Sequence, residues 1–123
     1  MSEDAKTTPE QRAQASRDFD AAAEKVDAET THKTPPVDFS TFVLSMASSA
    51  LIHLGETEHP ESGERTVNLP LARQTIDMLA MLEKKTAGNL ERDEERLLQA
   101  VLYDLRLRFV AAAERRGVEH GQS

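Results

Sequence analysis

The chain has 123 residues, 30% of them charged, and a formal net charge of −7, with four His and no Cys. Its acidity repels phosphate backbones and anionic lipid surfaces, so general nucleic-acid or membrane-surface binding is disfavoured. The missing cysteines exclude disulfides, thiolate chemistry and cysteine zinc sites. Trp is absent and aromatic residues make up only 4%, so a core has to be built from Leu, Ile, Val, Met and Ala. The acidic start, MSEDAKTTPEQR, lacks the apolar stretch of a signal peptide, and a cytoplasmic location is expected.

Residues 1–36 read as a polar N-terminal tail, expected to be disordered. Phe19 and Val26 are its only large apolar side chains beyond Met1, too few to offset chain entropy. Glu10 to Glu29 is nevertheless rich in Ala, Glu, Gln and Arg, which favour a helix that would become firm only by docking Phe19 and Val26. The run THKTPP follows as a stiff spacer, because two prolines forbid helix there.

Residues 37–116 read as a helical domain. From Phe39 to Leu54 no residue is charged, against an acidic and basic background elsewhere. Positions 39, 42, 43, 46, 47, 50, 51 and 54 hold Phe, Phe, Val, Met, Ala, Ala, Leu and Leu, one continuous helical stripe. Asp38 or Ser40 can cap its start and Gly55 can stop it. Leu44 and Ile52 lie outside the stripe and leave it surplus grease. Sixteen residues give about 24 Å, short of the ~20 residues a bilayer span needs, so membrane insertion is not expected. Ala47 and Ala50, beside Ser45, Ser48 and Ser49, would let another helix approach closely. That helix can be the chain's own or a partner's.

GETEHPESGERTV is a polar loop with turn residues Pro60 and Gly63. The second helix of the domain opens at Asn68, a fitting N-cap, with Pro70 tolerated in the first turn. Leu69, Ala72, Ile76, Leu79 and Leu82 form its stripe, widened by Leu71, Thr75 and Met78. Arg73, Gln74, Asp77 and Lys84 are left for solvent or a partner, and Gly88 closes the helix. The third runs from about Arg92 to Arg115, with Asp93, Glu94 and Glu95 in its first turn and Arg115 and Arg116 at its end, the order the helix dipole prefers. Leu97, Leu98, Val101, Leu102, Leu105, Phe109 and Ala112 make its core face. Residues 117–123 read as a C-terminal tail.

The expected fold is therefore all-α, a small antiparallel three-helix bundle or a helical hairpin plus helix. Its apolar faces exceed what three helices must hide, which points to self-association, most simply a homo-oligomer. The chemistry-bearing patterns are missing: there is no GxGxxG, GxxxxGK, GxSxG or HExxH. No catalytic, cofactor-binding or metal residue is assigned, and no cofactor is expected. The alternative is a small metal-binding protein or enzyme using the His and Glu residues of 53–61, namely His53, Glu56, Glu58, His59 and Glu61.

The runs FSTFVLSMASSALIHLGE, VNLPLARQTIDMLAMLEKKTAGNL and EERLLQAVLYDLRLRFV resemble a bacterial domain family of unknown function, the one numbered eighteen forty-four, over about residues 37–112. Where that family often has Thr-Pro before its last helix, this chain has Glu91-Arg92. The family implies no activity, catalytic residue or cofactor. A polar tail followed by such a domain is also similar to the layout of small myxobacterial cell-polarity proteins. That resemblance implies a motility complex with a response-regulator-type protein, promoting nucleotide exchange on a Ras-like GTPase. Partner-binding residues are then expected among Leu44, Ala47, Ala50, Ile52, Arg73, Gln74, Asp77, Asp93, Glu94 and Glu95.

Overall fold

The computed structural model describes residues 6–30, 34 and 36–119, except for the side chains of residues 118 and 119. Much of the expected spacer at 31–36, and residues 120–123 of the C-terminal tail, fall outside the described residues. Four helices follow in order: α1 (Pro9–Glu29), α2 (Phe39–His53), α3 (Leu69–Lys85) and α4 (Arg92–Glu119). The chain divides into two units after Pro36.

The first unit contains α1, so residues 9–29 of the polar tail are helical. Its start is a full capping box. The Thr8 hydroxyl accepts from the Gln11 N–H at 3.1 Å, and the Gln11 side chain accepts from the Thr8 N–H at 2.9 Å. Pro9 occupies the first turn, where its missing N–H costs nothing. None of its residues is buried, and Phe19 and Val26 stay largely exposed. The expectation of a disordered tail is corrected over 9–29: local propensity and the capping box hold this helix although Phe19 and Val26 are not docked.

The second unit is the three-helix bundle, in which α2, α3 and α4 each pack against the other two. Asp38 caps α2 by accepting from the Thr41 N–H at 2.7 Å. Asn68 caps α3 through the Leu71 N–H at 3.1 Å. At the start of α4, Glu94 reaches back to the Glu91 N–H at 2.8 Å. This carboxylate supplies half of a capping box. The core is Val43, Ala50 and Leu54 from the α2 region, Ala72, Ile76 and Leu79 from α3, and Leu98, Leu102, Leu105 and Ala112 from α4. Thr75 is buried among them, and its hydroxyl donates to the Leu71 carbonyl at 3.1 Å, so the core holds no unsatisfied polar side chain among the described residues.

The turn after α2 sets the direction of α3. Gly55 takes φ +77°. The Gly55 N–H then donates to the Ile52 carbonyl and the Glu56 N–H to the Leu51 carbonyl, the two bonds of a Schellman closure. The returning chain is tied down where the Asn68 N–H donates to the His53 carbonyl at 2.7 Å. Arg108 of α4 reaches Glu56 at 3.4 Å and Asp104 at 2.8 Å, linking the same corner to α4. The hydrogen bond to Asp104, with a smaller share from Glu56, pushes the Arg108 guanidinium further into its charged form. α3 closes at Thr86, whose hydroxyl donates to the Leu82 carbonyl, and Gly88 takes the positive-φ turn two residues later. α4 continues to Glu119, past the expected end at about Arg115, because the strong helix formers of 111–116 carry it through Gly117 at only ~1 kcal/mol. Among the described residues no helix is long and apolar enough to cross a membrane.

Two predictions follow from these turns and caps. A Cβ at residue 55 would sit 2.8 Å from Val67 Cγ2 on a left-handed backbone, whereas one at Gly63 meets nothing within 4 Å. Gly63→Ala is therefore expected to cost about 1 kcal/mol of backbone strain and Gly55→Ala about 2 kcal/mol or more. The urea midpoints of the two variants measure the difference. The Asp38 carboxylate is held below its ordinary value of 3.8 by hydrogen bonds from Thr41, first the backbone N–H and then the side chain. Its lowered pKa makes its stabilisation complete above the unfolded value and lost as pH falls through the folded one. The stability deficit of Asp38→Ala, present at neutral pH, is expected to close below pH 3.8, read from melts across that range.

Candidate interaction surfaces

Core formation consumes one face of each helix and leaves apolar side chains on two others. Along the outward side of α3 runs an open groove of about 750 Å³, lined by Leu69, Pro70, Met78 and Met81 with Phe109 of α4 beside them. Arg73, Gln74 and Asp77 line the same groove. A smaller hollow of about 210 Å³ adjoins it, shares Arg73, Asp77 and Phe109, and adds Arg106 and Val110. Met78 and Met81 are 43% and 52% exposed, unusual for large apolar side chains on a helix that also supplies the core. Methionine side chains adapt to differently shaped apolar partners. The groove's polar edge is an Arg73–Asp77 ion pair at 3.5 Å, one helical turn apart and solvated on both sides. Such a pair contributes little to folding, roughly 0.3–0.5 kcal/mol.

The second surface is the outward side of α2. Phe42 and Leu44 are 44% and 51% exposed, with Ser45 and Ser48 between them and the half-buried Ile52 beyond. No residue of α2 lines either hollow, so the two surfaces are separate.

The ten expected partner-binding residues therefore fall into several places. Arg73, Gln74 and Asp77 come together in the α3 groove. Leu44 and Ile52 share the outer side of α2. Ala47 is half-buried on the inner side. Ala50 is fully buried in the chain's own core, in one cluster with residues of α3 and α4, and its place as a partner contact is corrected. Asp93 and Glu95 are exposed at the start of α4, away from the groove lining. Glu94 is occupied with the Glu91 N–H, so its carboxylate caps the helix and is not held ready for a partner.

Met81, Phe109 and Val110 were not among those residues. Met81 falls outside the α3 stripe and Phe109 inside the α4 stripe, so periodicity reads one as incidental and the other as core. The available signal was the Met78–Met81 spacing of three, which places two adaptable side chains on neighbouring rows of one helix. Phe42 is the reverse case. It belongs to the eight-residue stripe, yet it sits at the stripe's edge and remains exposed.

The His and Glu residues of 53–61 do not converge. His53 Nε2 lies 3.5 Å from Ser49 Oγ, His59 Nδ1 accepts from the Glu61 N–H at 3.2 Å, and Glu56 pairs with Arg108. Among the described residues, no three His, Asp or Glu side chains gather as a metal ion would require.

The family described as a domain of unknown function, DUF1844, matches residues 36–111. No curated protein and no solved structure matches the chain. The matched stretch spans α2, α3 and most of α4, and it covers more than half of the sequence: the chain belongs to the DUF1844 family.

Proposed function

We propose that this protein is a non-enzymatic interaction module of the cytoplasm, whose bundle holds an apolar segment of a partner protein in the α3 groove. The carrying observation is the exposure of Met78 and Met81 in a groove bounded by Phe109 and edged by Arg73, Gln74 and Asp77. Apolar anchors from an amphipathic helix would fill the floor, and its polar flank would meet the Arg73–Asp77 edge. Arg106 beside the smaller hollow favours a carboxylate on the flank of the incoming segment.

The layout resembling cell-polarity proteins makes a response-regulator-type protein, acting with a Ras-like GTPase, the first partner to test. An exchange factor works by binding the nucleotide-poor state better than the loaded one. No phosphate site of its own is required. In this reading the exposed Asp93 and Glu95 would compete for the GTPase's magnesium or phosphate-binding lysine.

The test is a calorimetric titration of the response-regulator-type protein with the native chain and with Met78→Glu/Met81→Glu. Both positions are solvent-facing, so the variant is expected to keep its helical circular dichroism and to bind at least about tenfold more weakly, a loss of ~1.4 kcal/mol. Equal binding by both proteins would remove the groove from the contact. In parallel, release of labelled GDP from the GTPase is expected to accelerate only when both proteins are present. No acceleration in any combination overturns the exchange reading and leaves the binding reading to the titration.

A further inference from the structure

α2 is the one helix of the bundle without a charged side chain. From Phe39 to Leu54 there is none, in a chain whose net charge is −7. Only Val43 and Ala50 of its fifteen residues are buried, with Leu54 following at its cap. A helix without charge whose Thr41, Phe42, Leu44, Ser45 and Ser48 stay exposed presents neutral, partly apolar surface to the outside. Around the axis, Leu44 and Ser45 each lie three or four residues from Thr41 and Ser48, and Ile52 four from Ser48, so the five share a single outward face.

We infer that this face is the contact between two copies of the chain, related by a two-fold axis. Charge decides the occupant. A two-fold interface sets each patch against itself, so any patch with a net sign meets its own sign. The start of α4 carries Asp93, Glu94 and Glu95, and the 56–64 loop carries Glu56, Glu58, Glu61 and Glu64. Two copies brought together at either place would oppose carboxylates. The α2 face carries no such penalty, and two strongly acidic molecules can touch there.

The polar groups on the face are also cheap to cover. Ser45 Oγ already donates to the Thr41 carbonyl at 3.0 Å, so it needs no water. A hydroxyl both donates and accepts, so Ser48 at the axis can pair with the Ser48 of the partner subunit. With the two α2 helices antiparallel about Ser48, Leu44 lies against the partner's Ile52, and Ile52 against the partner's Leu44. Antiparallel helix dipoles favour the same arrangement. The contact is confined to helices about 22 Å long, at the small end of specific interfaces, so the dimer dissociates on dilution. This surface shares no residue with the groove, and the inference stands independently of the proposed partner.

Sedimentation equilibrium or native mass measurement of the full chain is the test. The native chain is expected to pass from 13.7 kDa to twice that mass as concentration rises through the micromolar range. Ser48→Glu is expected to remain at the single-chain mass, because it places two carboxylates across the axis, and Ser48→Lys is expected to do the same. An equimolar mixture of the two recovers the doubled mass, while Ser48→Ala behaves as native. Circular dichroism verifies that each variant is folded, position 48 being exposed. A native chain that stays at 13.7 kDa throughout, a Ser48→Glu protein that dimerises like the native one, or a mixture that fails to recover would each overturn the inference.

Discussion

A core with little side-chain volume to offer is the constraint on which the rest of the bundle depends. Ala50, Ala72 and Ala112 lie in one cluster with the large side chains Leu54, Leu79, Leu98, Leu102 and Leu105. Helix separation follows the size of the residues at the contact, and Ala permits the shorter end of the range. Without Trp, and with Phe only at the margins, a wider spacing could not be filled. Three alanines beside five leucines, with Val43 and Ile76, give a core of small volume. Enlarging any of the three alanines would force rotamers off their minima or push helices apart.

A small core explains the surfaces. Helices gathered around ten buried apolar residues leave much of their girth outside. α2 buries Val43 and Ala50 and exposes Phe42 and Leu44. α3 buries Ala72, Thr75, Ile76 and Leu79 while Met78 and Met81 face outward. A domain this small gains limited stability from its own core, and covering such faces with other chains adds to it. The corner at Gly55 keeps both surfaces in place. Its left-handed turn, the bond from Asn68 to the His53 carbonyl and the reach of Arg108 to Glu56 join the end of α2, the start of α3 and the middle of α4.

Most of the fold was legible before any coordinates. The caps at Asp38 and Asn68, the stop at Gly55, the helical periods and the acidic first turn of α4 are local rules that act through neighbouring residues, and the structure contains all of them. The candidate surfaces were legible only in part. Arg73, Gln74 and Asp77 were identified as outward-facing, and they do line the groove. Met81 and Phe109 were not, because they are separated by twenty-eight positions and meet only once α3 and α4 pack. Glu94 was read by its charge, whereas its hydrogen bond to the Glu91 N–H assigns it to the helix start.

Sequence by itself determined which segments of the bundle are helical, where each of them begins, and that apolar residues outnumber the places one bundle can hide them; it left α1 as a tail and stopped α4 short of Glu119. Those properties follow from spacing, capping chemistry and composition, which reach only a turn or two along the chain. Tertiary structure decided which apolar residues are spent. Phe42 and Val43 are adjacent members of the same stripe, yet one is exposed and the other has no accessible surface. Ala50 had two available neighbours, its own helices or another chain's, and the bundle closes over it. A helical period defines a face to within the width of a side chain, but the angle at which the next helix crosses it decides which edge is covered.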